Sequence, residues 1–121
     1  MVTIYVGSSD TCKFLTIQRI FRKFYDCVDL VAMDVEPNTK DTVVSKEEIE
    51  SIANEQILYL RAHAKKYDYL ISYNKVEYSN GRLDNAVAIL IEDSGGKQKW
   101  GISRTVEYST IKALVGFECL S

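Results

Sequence analysis

Apolar positions along the chain change their period several times, and each change marks an element. Val2-Thr3-Ile4-Tyr5-Val6 is β-branched and aromatic, which predicts a buried strand. Gly7-Ser8-Ser9-Asp10 ends it, with Ser9 or Asp10 placed to cap a helix. From Phe14, apolar residues recur at Ile17, Ile20, Phe21 and Phe24, the spacing of one helical face, and Lys13, Arg19, Arg22 and Lys23 take the outer face. A second strand is expected at Val28 to Val35, then a polar loop from Glu36 to Val44. Ser45-Lys46-Glu47-Glu48 fits a capping box, and Ile49, Ile52, Ala53, Ile57, Leu60 and Ala64 form one stripe on a long helix. Tyr67 to Tyr73 reads as a third strand. Asn80-Gly81 signals a tight turn into the apolar run Ala86 to Ile91. Asp93-Ser94-Gly95-Gly96 turns the chain again, Lys99 to Val106 returns as a hairpin partner, and Ser109 is placed to cap a short final helix through Leu114. The order β-α-β-α-β-β-β-α predicts an α/β fold, a mixed sheet with packed helices, in a single domain over residues 1–121.

Composition narrows the function classes. A net charge of −2 argues against general nucleic-acid binding, which calls for a clearly basic surface. The basic groups Arg19, Arg22, Lys23 and Arg61, Lys65, Lys66 read as solvated helix faces. No apolar run reaches the ~20 residues of a membrane helix, and the N-terminus lacks the order of a secretory signal, so no membrane and a cytoplasmic location are expected. Cys12, Cys27 and Cys119 form no CxxC pair and suit a reducing compartment without a disulfide or zinc framework. Cys12 lies near a helix N-terminus, but the single histidine, His63, falls in mid-helix, away from any nucleophile-and-base pairing evident in the sequence. One proline beside abundant Tyr, Ile and Lys would suit an AT-rich genome such as that of a virus or phage.

A strand that runs through a Gly/Ser turn into a helix directs backbone N–H groups and the positive helix end at one point, which is a phosphate site in physical terms. Lys13, in the first helical turn, can reach back to the same anion. The structural alternative is a plain N-cap beside a solvated lysine. Gly7-Ser8-Ser9-Asp10-Thr11-Cys12-Lys13 also resembles the (S/T)-(S/T)-N-P-x-K opening of the YjjX-type inosine/xanthosine triphosphatases. The resemblance continues in order through Asp34-Val35-Glu36, Glu47-Glu48 with Ala53, Tyr67 to Ile71, Ala86 to Glu92 with Gly95-Gly96, and Gly101-Ile102-Ser103. It implies an ITPase-like fold in which Ser8, Ser9 and Lys13 hold phosphates, Glu47 or Glu48 stands near Mg²⁺, and a purine nucleotide fills a cleft. For the glutamate pair the structural alternative is helix capping with dipole complementarity.

This sequence departs from that family's pattern where the chemistry belongs. The motif's Asn-Pro is Asp10-Thr11, and the acidic residue expected after the third strand falls on Asn74 in Tyr73-Asn74-Lys75-Val76. Asn74 offers a carbonyl oxygen without charge, Lys75 competes with a metal ion, and Val76 replaces a glycine. The helix's Gly and Arg are Ile52 and Gln56, and the family's chain continues past the point matching Phe117, which leaves the expected pocket open on one side. Glu36, Glu77 and Asp84 are candidate replacement carboxylates. Three functions stay open. The first is a weakened or inactive scaffold, a pseudoenzyme, that binds a nucleotide, another phosphate ligand or a macromolecule. The second is an active Mg²⁺-dependent phosphatase of non-canonical purine triphosphates. The third is a protein-protein module, homodimers included, using Tyr73, Tyr78, Trp100 and Tyr108. Mg²⁺ is expected only for the active case.

Overall fold

The computed structural model describes residues 1–7, 11–33, 46–76 and 86–115. The elements are β1 (Val2–Val6), α1 (Thr11–Phe24), β2 (Val28–Ala32), α2 (Lys46–His63), β3 (Tyr69–Val76), β4 (Ala86–Asp93), β5 (Gln98–Ser103) and α3 (Val106–Val115), in the order expected. The five strands form one sheet, β2-β1-β3-β4-β5. β1 pairs parallel with both β2 and β3, and β3, β4 and β5 form an antiparallel meander. Parallel neighbours need a crossover, and crossovers are right-handed. The first moves from β1 outward to β2, and the second moves back past β1 to β3, so the two helices must take opposite faces.

Side-chain packing shows that division. Ile4, Val6, Ile71, Val87, Ile89 and Ile91 bury one face of the sheet against Ile17 and Phe21 of α1 and Ala113 of α3. Leu70 and Leu90 bury the other face against Ala53, Ile57 and Leu60 of α2, and Ile49 meets Ala86 and Ala88. β4 is covered on both faces, so Ala86 to Glu92 are all buried, and its sequence reads as an unbroken apolar run rather than an alternation.

Several boundaries differ from the sequence reading, each for a local reason. β3 continues past Tyr73 to Val76 because β4 pairs with it throughout, with Asn74 opposite Ala88 and Val76 opposite Ala86. Asn74 and Val76 therefore belong to a strand, not to a turn after one. The last helix begins at Val106, where Thr105 Oγ1 accepts the Tyr108 amide as its cap. Ser109 is instead buried inside that helix and donates to the Val87 carbonyl at 2.7 Å. α1 ends at Phe24, which is 50% exposed, and Tyr25 supplies the next inward ring, stacked on Phe21. Arg61 is not a merely solvated basic residue: it clamps the Glu92 carboxylate, 2% exposed, with contacts of 2.6 and 2.7 Å. That hydrogen bond, followed by the charge of Glu92, raises the Arg61 pKa above its ordinary value against the opposing effect of burial. The expected caps Asp10 and Ser45, the Asn80-Gly81 turn, and residues Glu36, Glu77, Tyr78 and Asp84 lie outside the described residues.

Two substitutions test this packing. A Cβ at Gly101 would meet the Ser109 carbonyl oxygen and lie 2.6 Å from the Ala113 amide nitrogen, so β5 and α3 touch backbone to backbone there. Gly101→Ala is expected to lower unfolding stability by about 3 kcal/mol in a denaturant titration, because α3 must move. Arg61→Ala leaves the buried Glu92 with Gln98 but without its cation, at a cost of about 3 kcal/mol near neutral pH. A denaturant titration of that variant at pH 7 should read this loss directly.

Candidate functional site

In an open α/β sheet the crevice lies at the carboxyl ends of the strands where the order reverses. Here that point is the junction of β1 and β3. β1 ends at Val6, the Gly7 amide donates to the Ile71 carbonyl at 2.9 Å, and β3 runs on past its partner. The crest of β3 thus stands beside Gly7 and the first turn of α1. Lys13, in the first turn of α1, places its ammonium 4.5 Å from the centroid of the Tyr73 ring, and both side chains are half-buried. A cation over an aromatic face is favoured by ~0.5–1 kcal/mol at partly wet sites. Lys13 is therefore held against the crest of β3 rather than on the outer helix face, with its charge kept at the crevice. Ser8 and Ser9, and the side chain of Cys12, lie outside the described residues.

The opposite face of the same crest carries a neutral polar cluster. The Gln56 and Asn74 amides exchange two hydrogen bonds of 3.1 Å each, and Ser72 Oγ donates to Gln56 Oε1 at 2.8 Å while accepting from Asn74 Nδ2 at 3.1 Å. All three residues are buried. In the sequence Gln56 reads only as the replacement of an arginine. Its pattern does carry a signal, because Gln56 falls between Ala53 and Ile57 on the inward stripe of α2, where a polar residue needs a partner.

Glu47, exposed, and Glu48, half-buried, occupy the first turn of α2, where carboxylates complement the positive helix end. Mg²⁺ takes carboxylate and phosphate oxygens. Among the described residues no three His, Cys, Asp or Glu side chains converge, and the Asn74 amide is engaged with Gln56 and Ser72.

At the other end of the sheet, two tyrosines meet. The Tyr25 and Tyr69 hydroxyls lie 2.6 Å apart, with their ring centroids 6.0 Å apart and Phe21 against both. Of the four aromatic residues singled out for contacts, Tyr73 lies beneath Lys13 and Trp100 packs on the α2 face, whereas Tyr108 is 61% exposed. Among the described residues the free cysteine is Cys27, which is exposed.

No protein-family model matches the chain, and no curated protein matches it in sequence. Among solved structures, the crystal structure of protein VC0702 from Vibrio cholerae is similar, with a TM-score of 0.70 over 85% of this chain at 14% identity. The chain spans 58% of the length of that structure. At this identity the likeness shows the fold alone: a mixed α/β fold, with a five-stranded sheet and three helices among the described residues. No helix among the described residues is long and apolar enough to cross a membrane.

The tyrosine pair gives a pH-dependent expectation. Tyr69 is pushed up to about 12, first by its hydrogen bond with Tyr25 and then by burial. A raised folded value means that the stabilisation is complete below the unfolded value near 10 and is lost as pH rises through about 12. Ultraviolet titration of phenolate should show Tyr69 ionising late in the parent, and Tyr25→Phe should return it toward 10.

Proposed function

We propose that this is an ITPase-like scaffold that binds a phosphate-bearing ligand at the crevice between β1 and β3, with catalysis weakened or absent. The observation that carries the reading is the pairing of a retained cation with an uncharged, hydrogen-bonded Asn74. Lys13 is held at the crevice by Tyr73, while Asn74, at the position where the resemblance calls for an acid, is tied into amide hydrogen bonds. A lysine beside a helix N-terminus attracts phosphate oxygens by charge and by orphan N–H groups. Turnover of a triphosphate further requires a divalent ion to neutralise charge as water attacks phosphorus. A neutral amide in place of the carboxylate weakens that step without weakening the hold on phosphate. Ser8 and Ser9 complete the phosphate contacts in this reading, and Glu47 and Glu48 are the carboxylates available from α2.

The test combines binding with turnover. Calorimetry with inorganic pyrophosphate and ITP should give saturable binding that Lys13→Ala weakens at least tenfold, since a charge-assisted contact contributes ~1.5–3 kcal/mol. Phosphate and pyrophosphate release from ITP, XTP and the standard triphosphates with Mg²⁺ should not exceed that of the same variant. Purine-selective turnover abolished by Lys13→Ala would replace this reading with an active phosphatase. An absence of binding to either ligand would leave the turn without a phosphate role.

A further inference from the structure

The tyrosine pair lies away from the crevice just described, at the amino ends of β1 and β3, and it sits between two adjoining hollows. The first, about 120 Å³, is lined by Tyr25, Tyr69, Lys97 and Lys99 over the apolar floor of Ile91 and Leu114. The second, about 320 Å³ and more open, is lined by Asp68, Val2, Ser94 and Gly95. Both share Tyr25, Tyr69 and Asp93. Lys97 and Lys99 thus stand at one end and Asp68 at the other, with Asp93 at the boundary they share.

The carboxylates are positioned by the backbone. Asp68 Oδ2 accepts the Thr3 amide at 2.8 Å, and Asp93 Oδ1 accepts the Gly95 and Lys97 amides at 2.9 Å each. An ionised carboxylate has about four acceptor positions, so each keeps capacity for another donor. Register places the groups side by side: Tyr69 is opposite Asp93, and Ile91 is opposite Lys99. A hydrogen bond between two phenols consumes one proton and leaves the other to be given to a third group. The centre of the double hollow therefore offers a hydroxyl donor beside Asp93, with Lys97 and Lys99 on one side and Asp68 on the other.

We propose that this double hollow is a binding site for a small zwitterion of the amino-acid class, with its carboxylate toward Lys97 and Lys99 and its ammonium toward Asp68 and Asp93. The size agrees, since a cavity of ~150 Å³ holds benzene. The narrower hollow takes a carboxylate with one or two methylenes, and the wider one takes the amine. A simple anion meets Asp93 and a simple cation meets the lysines, so each is disfavoured by the half it does not match.

The probes are glycine, β-alanine and 4-aminobutyrate, compared with acetate and methylammonium at fixed ionic strength, and the readout is the amide spectrum of ¹⁵N-labelled full-length protein. At least one zwitterion should saturate shifts at Tyr25, Gly95, Lys97 and Lys99 at a tenfold lower concentration than either single-charge probe. Lys97→Ala/Lys99→Ala should weaken it at least tenfold. Asp68→Asn, which keeps an oxygen for the Thr3 amide, should do the same while the rest of the spectrum stays unchanged. The proposal is overturned if no zwitterion saturates, if acetate matches the best of them, or if binding survives both variants unchanged. Lys13→Ala, which alters only the crevice of the other site, should leave these shifts as they are.

Discussion

Parallel pairing of β1 on both of its edges is the constraint from which the rest of the molecule follows. A strand with parallel neighbours on both sides must be reached and left by crossovers, and the handedness of those crossovers sends α1 and α2 to opposite faces. Neither face of the central strands is then left to water. β4 becomes apolar throughout, and α3 fills the space beside α1 by approaching β5 so closely that only a glycine fits at position 101. The same reversal of strand order opens the crevice between the carboxyl ends of β1 and β3.

Buried polar groups divide the α2 face of the sheet into two levels. Near the crest of β3, Gln56, Asn74 and Ser72 satisfy one another without charge. Toward the other end, Arg61 and Gln98 satisfy Glu92, and Asn54 in turn accepts from Gln98. Among the described residues no buried side-chain nitrogen or oxygen lacks a partner. A charge at the lower level is tolerated because Arg61 reaches it with a two-pronged contact from the edge of the protein. At the upper level the polar atoms of Asn74 and Gln56 bond chiefly to each other, so this cluster on the face opposite Lys13 is neutral. The chemical character proposed for the crevice, a hold on phosphate without strong metal chemistry, is a consequence of that contrast.

The two ends of the sheet thus present different chemistry on one scaffold. The carboxyl end offers a lysine held over an aromatic ring beside a helix N-terminus. The amino end offers paired phenols between lysines and aspartates, supported by the hairpin turn that Asp93 organises through the Gly95 and Lys97 amides. Gly96, with φ of +89°, lets that turn close in a conformation that other residues rarely adopt.

The sequence by itself determined the element order and most of the inward stripe on each helix, because local period and turn chemistry depend on neighbours within a few residues. It also marked Lys13 as the cation of the first turn. What lay beyond it were the features made by residues distant along the chain. Asn74 reads as polar and turn-like until β4 pairs with it, and Gln56 meets it across 18 positions. Ser109 has the composition of a helix cap, yet Thr105 takes that role, and Ser109 is drawn inward by the Val87 carbonyl 22 positions away. Arg61 looks solvated until Glu92 is folded beneath it, 31 positions on, and Tyr25 finds Tyr69 across 44. Those partners are chosen by strand register and crossover hand. Only the tertiary structure sets which side chains a polar residue meets, because a hydrogen bond extends over about 3 Å of space and takes no account of distance along the chain.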